Sequence, residues 1–235
     1  PRRIPFTLRG HSFENFDVQI PRLAAQPSIP RLYLFPHLAE RFAHLGAKIR
    51  SMVVPFNPDR YGPAAEKDRR LVLRLGVALP SKDVPLFFRV ANRCPQFRFV
   101  LGLCRTANTG TYLDELLEYN RSLGSPVDIH LDLTHDQAAA WMHRAGIYLH
   151  TISGPQWFGM PISIAEAMAT GAYPLAYRCP AALAYLGNPA QCYNDEDEAV
   201  QLLEETLTWS DARWRKAQTD SIERAFLYHP DSVVL

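Results

Sequence analysis

The feature that most limits the possible folds of this 235-residue chain is an alternation of short apolar runs with longer amphipathic segments, which begins at Arg69. Short apolar runs predict strands, and longer segments with helical periodicity predict helices. The predicted strands are 71–75, 97–103, 127–131, 147–150 and 173–177. The helices between them are 84–94, 112–123, a helix opened by Thr134 with Gln137 in capping-box spacing, and a helix over 161–171. This alternation favours a parallel sheet covered on both faces. We therefore predict an α/β fold built on a Rossmann-like, doubly wound parallel sheet.

Two more helices are predicted near the end of the sequence, one after Asn194 and one running from Ser210 to about Phe226. The first turn of the earlier helix carries three acids, Asp195, Glu196 and Asp197. Acidic side chains at a helix start are stabilised by the helix dipole. We interpret these acids as caps and as a solvated face, in preference to metal ligands.

Residues 1–62 have a different pattern. Strand candidates at 4–8, 32–35 and 52–54, with a short helix ending at Gly46, are enough for only part of a sheet. The stretch Pro55–Pro63 is rich in turn-forming residues and indicates a boundary. We therefore expect a partial domain with a hinge over 1–62 and a second domain over 63–235.

Composition limits the classes of partner. The chain has 25 lysines and arginines against 24 acids, a net charge of +1, so it has no overall basic field for nucleic acid or an anionic membrane. No apolar run approaches the roughly 20 residues that a membrane helix needs. The four cysteines are far apart, and we expect reduced thiols rather than a metal site.

The segment 158–171, FGMPISIAEAMATG, is the strongest candidate for a ligand site. Pro161 suits the first position of a helix, and Gly171 suits the left-handed residue just past its end. The helix between them is largely apolar, so the carboxylate of Glu166 needs a partner. The N–H groups of Gly159 and Met160, at the positive end of the helix dipole, would form a seat for phosphate. The alternative is a core helix with a structural, hydrogen-bonded glutamate.

This segment resembles the donor-binding signature of family 4-type glycosyltransferases of the GT-B fold, in which a Glu-x7-Glu pattern ends in Glu-Ala-Met-Ala-x-Gly. The resemblance implies that Glu166 binds the ribose hydroxyls of a nucleotide sugar. The first glutamate of the pattern contacts the transferred sugar, and here that position is Phe158. Gln156 could supply an amide in its place. Trp157 and Phe158 would line the sugar pocket, although both could equally be loop residues packed down by their apolar rings.

The resemblance extends along the chain. It implies two Rossmann-like domains facing each other across a cleft, with 64–227 as the donor-binding domain and 1–54 as the last portion of an incomplete acceptor domain. Family members place an arginine and, five residues later, a lysine after the first strand of the donor domain. Lys82 matches the lysine, whereas Val77 occupies the arginine position, which leaves Arg74 or Arg105 as a possible substitute.

Two further sites follow from the same resemblance. The nucleotide base would meet the loop at Leu133 and Thr134, through backbone amides. His11, in Arg-Gly-His-Ser, matches a histidine that lies near the donor sugar in the family, although a lone histidine is more often structural.

The implied activity is that of a hexosyltransferase-like enzyme. It would move a sugar from a nucleotide-diphosphate sugar to an acceptor hydroxyl, retaining the anomeric configuration, with no metal and no cofactor beyond the co-substrate. The acceptor could be a glycan, a lipid or a small molecule, and the expected location is the cytoplasm, at most at the periphery of a membrane. Two alternatives stay open: a non-catalytic nucleotide-sugar binding module, and an α/β scaffold that binds a protein through its last two helices.

Overall fold

The computed structural model describes residues 16–64, 66–153 and 161–232. Within residues 16–51 two short parallel strands form a small sheet flanked by helices; these elements are α1 (Phe16–Ala24), β1 (Leu32–Leu34), α2 (Pro36–Arg41) and β2 (Ile49–Ser51). The third strand expected at 52–54 is therefore placed three residues earlier. The strand candidate at 4–8 lies outside the described residues.

A six-stranded parallel sheet forms the larger part of the fold, in the order β5-β4-β3-β6-β7-β8. Its strands are β3 (Asp68–Val77), β4 (Arg98–Cys104), β5 (Val127–Leu131), β6 (Ala145–His150), β7 (Tyr173–Tyr177) and β8 (Cys192–Tyr193). Residues 71–73 of β3 and 145–149 of β6 are buried on both faces of the sheet, and they are largely apolar. The predicted doubly wound α/β fold is confirmed.

Helices connect these strands and cover both faces of the sheet. They are α3 (Val84–Arg93), α4 (Tyr112–Ser122), α5 (His135–Arg144), α6 (Ile162–Ala169), α7 (Pro180–Leu186), α8 (Glu196–Leu207) and α9 (Asp211–Ala225). Of the three expected acids, Asp195 caps α8, since its side chain accepts a hydrogen bond from the Glu198 N–H at 2.9 Å. Glu196 and Asp197 instead pair with arginines of α3. No helix in the described ranges is long and apolar enough to cross a membrane.

Two hydrophobic clusters hold the larger sheet between its helices. One cluster lies between the sheet and α3, α4 and α8. The other lies between the opposite face and α5, α6 and α7, and it continues without interruption into the small sheet. It includes Leu34, Phe42 and Ile49 from the first part of the chain together with Leu73 and Ile164 from the second.

The segment between the two sheets, residues 52–63, is without helix or strand apart from a turn, as the proline-rich sequence predicts. It is held to the last part of the chain by a hydrogen bond from the Phe56 N–H to the Tyr228 carbonyl oxygen at 3.2 Å. The predicted division into 1–62 and 63–235 stays a prediction, since the two parts have separate sheets but share one hydrophobic cluster.

Candidate functional site

The order of the strands defines where a ligand can bind. The chain builds the sheet outward from β3 to β4 and β5, then returns to β6 on the other side of β3. Ligands of such sheets bind in the crevice beyond the carboxyl ends of the two strands that flank this switch point. Here the crevice is bounded by the segments that follow β3 and β6.

These two segments are joined directly. After β3, the chain forms a short 3-10 turn over Pro80–Lys82, and Asp83 then caps α3 by accepting a hydrogen bond from the Leu86 N–H at 3.2 Å. After β6, the N–H of Ser153 donates to the carbonyl oxygen of Ser81 at 3.1 Å. The turn that carries Lys82 therefore lies against the start of the segment that leads to α6.

Positive groups are concentrated at this edge of the sheet. Burial lowers the pKa of Lys82, and the nearby charge of Arg74 lowers it further. Arg74 itself is 1% exposed, and burial is also the main cause that lowers its pKa. Arginine ionises so far above neutrality that its guanidinium stays charged. Two cations therefore lie at the carboxyl end of β3, where the family resemblance implies a diphosphate.

Arg74 does not point its guanidinium into solvent. Its Nε donates to Thr151 Oγ1 at 2.7 Å, and its Nη2 donates to the carbonyl oxygens of Lys82 at 2.6 Å and Thr151 at 2.8 Å. It fastens the segment after β3 to the segment after β6. Arg105 is the other arginine that could replace the one expected at position 77. It is instead bound to the Asp132 carboxylate at 2.5 Å, just beyond the ends of β4 and β5.

His150 is a buried neutral base next to these cations. Burial, followed by the charges of Arg74 and Lys82, lowers its pKa well below the usual value. Its Nδ1 has no hydrogen-bond partner within the described part of the chain. Its backbone carbonyl accepts from the Tyr193 hydroxyl at 2.8 Å. The imidazole is therefore held uncharged within the rim of the crevice.

Helix α6 is the first described helix after β6 along the chain, and it keeps the predicted ends with one change. Pro161 is the residue before the helix rather than its first residue, because its ψ of 102° is extended. Gly171 has a φ of +85°, as predicted for a left-handed residue past the helix end. One face of the helix is fully buried, with Ile164, Ala167 and Met168 facing the core.

Glu166 lies in the middle of α6 and is largely buried. Burial raises the pKa of its carboxyl group from 4.5 to about 7, and the charge of Arg60 opposes that rise. Three phenols, those of Tyr61, Tyr148 and Tyr185, feel its negative charge. Among the described residues, none forms a hydrogen bond or ion pair with its carboxylate. A buried carboxylate of this kind is poised to accept hydrogen bonds from a ligand.

The loop expected to meet a nucleotide base has a structural function of its own. Thr134 caps α5: its Oγ1 accepts from the Gln137 N–H at 3.2 Å, and its own N–H donates to Gln137 Oε1 at 2.9 Å. The predicted capping box is confirmed. It occupies the Thr134 N–H, one of the backbone amides that were expected to bind a nucleotide base. Leu133 is half-buried and packs close to Gly102 on β4.

Several predicted site residues lie outside the described residues, and their roles stay predictions. These residues are His11, Gln156, Trp157, Phe158, Gly159 and Met160. Within the described ranges no group of three or more His, Cys, Asp or Glu residues could hold a metal ion.

Sequence reasoning missed Thr151 and gave His150 no function. One signal was available: Arg74 interrupts the run Leu71-Val72-Leu73-Arg74-Leu75, and a charge inside a buried strand needs a local reason. Thr151 gave no such signal, because a hydroxyl after a strand is common.

Comparison with solved structures places this fold. HepE of Anabaena in complex with UDP superposes with a TM-score of 0.71 at 14% identity, covering 86% of this chain and 60% of that chain. A glycosyltransferase of Rickettsia africae gives 0.71 at 10% identity, with 97% and 65% covered. An α,α-trehalose-phosphate synthase (UDP-forming) of Burkholderia vietnamiensis gives 0.69 at 13% identity, with 87% and 57% covered.

The chain therefore has the GT-B type of α/β fold, and it spans about three fifths of the length of the HepE chain that it matches. At identities of 10% to 14% the likeness concerns the fold alone. No protein-family model matches the sequence, and no curated protein matches it either.

Proposed function

We propose that this chain carries the donor-binding part of a glycosyltransferase, which moves a sugar from a nucleotide-diphosphate sugar to an acceptor hydroxyl. The single observation that supports this most is that the two strands at the switch point lead to groups of opposite charge. Lys82 and Arg74 supply positive charge at the end of β3, and α6 supplies the buried carboxylate of Glu166. The positive charge would bind a diphosphate, and the carboxylate would accept hydrogen bonds from the hydroxyls of a ribose.

The proposed reaction depends on stabilising the departing diphosphate. As the bond between the anomeric carbon and the diphosphate oxygen breaks, negative charge grows on that oxygen. Lys82 would stabilise this charge, since a fixed cation in a partly dry crevice is more effective than water. We propose retention of configuration and a metal-independent reaction, on the grounds of the sequence resemblance and of these two cations.

The donor nucleotide is proposed from the neighbours. HepE of Anabaena has been solved with UDP, and also with UDP-glucose, so UDP and UDP-glucose are the first ligands to test. We propose that the chain acts in the cytoplasm on a glycan, lipid or small-molecule acceptor, including acceptors held at a membrane surface.

Calorimetric titration of UDP, GDP and ADP into the wild type and Glu166→Ala tests the proposal. The wild type should bind one of these nucleotides, and removal of the carboxylate should weaken binding by about 1.5–3 kcal/mol, the range for hydrogen bonds to charged groups. Glu118→Ala is the matched control, since Glu118 is exposed on α4 away from the crevice. Equal affinity in the wild type and Glu166→Ala would refute the ribose contact.

A second candidate function is a nucleotide-sugar binding module without catalysis. Val77 supports it, because this half-buried side chain ends β3 without a charge where the resemblance expects an arginine. A donor-turnover assay separates the two functions. Release of free sugar or transfer to an acceptor supports the enzyme, whereas tight binding with intact donor after prolonged incubation supports the module.

A further inference from the structure

Arg74 is a charged side chain inside the larger sheet. Burial of a charge costs free energy unless the charge is paired, and inner strands of parallel sheets are normally apolar. Within the described ranges no carboxylate forms an ion pair with Arg74, and its Nη1 is buried without a hydrogen-bond partner. Asp83 acts on it only through space, since that carboxylate caps α3. Among the described residues this buried charge therefore has hydrogen bonds but no ion-paired carboxylate.

The hydrogen bonds of Arg74 close a ring around the two segments that bound the crevice. Arg74 donates to both the side chain and the carbonyl oxygen of Thr151, and to the carbonyl oxygen of Lys82. The Thr151 hydroxyl completes the ring by donating to the same Lys82 oxygen at 2.7 Å. The backbone from which the Lys82 side chain extends is thus fixed by Arg74 from behind.

We propose that Arg74 is a positioning residue for diphosphate binding: it fixes the backbone of Lys82 and Thr151 so that the Lys82 ammonium meets the phosphates. This inference rests on the proposed function, because it deepens the description of the same site.

A half-buried cation, Lys67, offers a matched control at the opposite end of the strands. Lys67, just before β3, donates to the carbonyl oxygen of Met142 at 2.7 Å and to Thr170 Oγ1 at 2.9 Å. It therefore joins two segments through a carbonyl and a threonine hydroxyl, as Arg74 does. Removing Lys67 should perturb stability in a similar way without touching the crevice.

The experiment measures diphosphate and monophosphate affinity separately. The first ligand is whichever of UDP, GDP and ADP the wild type binds most tightly, and the second is the matching monophosphate. Both are titrated into the wild type, Arg74→Met, Lys82→Met, the double variant of these two residues, and Lys67→Met. Arg74→Met should weaken diphosphate binding about tenfold or more, and monophosphate binding by less than about threefold. Lys67→Met should bind the diphosphate as the wild type does.

The double variant separates positioning from independent contact. If Arg74 acts through Lys82, removing it from a protein that already lacks Lys82 should weaken diphosphate binding only about threefold or less, because coupled residues are not additive. Additive losses, or equal losses of monophosphate and diphosphate affinity, would overturn the proposal.

Thr151→Val provides a second route if Arg74→Met does not fold. It removes the hydroxyl from the ring while keeping the size of the side chain, so it should show the same selective loss of diphosphate affinity. Unchanged diphosphate affinity in Thr151→Val overturns the proposal. A wild type that binds none of the three nucleotides refutes the proposed function itself, whereas a wild type that binds while Arg74→Met binds equally well refutes this inference alone.

Discussion

The hydroxyl of Tyr148 donates a hydrogen bond to the carbonyl oxygen of Leu75 at 3.1 Å, and so joins β6 to β3 through a side chain as well as through the strand ladder. Tyr148 is fully buried. The same hydroxyl interacts with the Ser163 side chain in the first turn of α6. One phenol therefore links the central strand pair to the helix that carries Glu166.

Tyr148→Phe should lower the free energy of unfolding by about 1–3 kcal/mol, because the change leaves buried polar partners without their hydrogen bond. Tyr33→Phe, at a half-buried position on β1, serves as the control. Urea unfolding followed by circular dichroism would measure both. Equal stability of Tyr148→Phe and the wild type would show that the hydroxyl contributes no net stability.

Glu166→Gln should make the protein more stable at neutral pH. Burial raises the pKa of Glu166 from 4.5 to about 7, so between these values the folded chain holds more protons than the unfolded chain and stability falls as pH rises. Glutamine does not titrate, which removes this cost. The variant should gain about 1–3 kcal/mol above pH 7, and the gain should fade toward pH 4.5.

Thermal unfolding of wild type and Glu166→Gln at several pH values between 4.5 and 8 would test this dependence. Glu118→Gln, on the exposed surface of α4, should track the wild type throughout. A difference between Glu166→Gln and the wild type that stays constant with pH would contradict the assigned titration.

Lys67→Met should change the pH dependence of stability in the direction opposite to that of Glu166→Gln. Burial lowers the pKa of Lys67 from 10.5 to about 7, so above pH 7 the unfolded chain holds more protons and the wild type gains stability as pH rises. The methionine variant lacks this gain. The stability of the wild type relative to the variant should therefore rise from pH 7 to pH 8.5 in chemical denaturation.

Lys216→Met is the control for that series, because Lys216 is 74% exposed on α9 and its ion pair with Asp220 is in solvent. Its curve should run parallel to that of the wild type. Parallel curves for Lys67→Met would mean that Lys67 is not held with a lowered pKa.

Gly76→Ala should be destabilising because of Arg74. A Cβ added at Gly76 would lie 2.8 Å from Nη1 of Arg74, and the guanidinium is held by its ring of hydrogen bonds and cannot move away freely. Overpacking of this kind costs about 1–3 kcal/mol. Gly62→Ala is the control, since its Cβ would meet only an ordinary contact at 3.6 Å.

Combining Gly76→Ala with Arg74→Met tests the cause. The flexible methionine can yield, so most of the cost of the alanine should disappear in the double variant. Denaturant midpoints of the two single variants and the double variant give the answer. A cost that persists without Arg74 would place the clash elsewhere.

Local sequence signals predicted most of the elements of the larger sheet. The bounds of β5 and β7 match the prediction, and the capping box of Thr134 and Gln137 was visible at the correct spacing. Strand β8 was missed because two residues are too few to show periodicity. Helix α7 was missed although Pro180 at its start and Gly187 in a left-handed conformation past its end mark it in the sequence.

The site could be predicted only in part, for a physical reason. Glu166 and Lys82 stand out because each lies in a local pattern with a helix or a strand end. The ring of Arg74, Thr151 and Lys82 joins residues 77 positions apart, and only the adjacency of β3 and β6 brings them together. No window of sequence contains that information.

The hydrophobic cluster that continues from the small sheet into the larger one determines how the chain unfolds. Leu34 and Phe42 share their packing environment with Leu73 and Ile164, so neither part can lose its structure without opening the interior of the other. Heating should therefore give a single cooperative transition, despite the two sheets. Cutting the chain within 52–63 should leave two aggregation-prone fragments rather than two independent folding units.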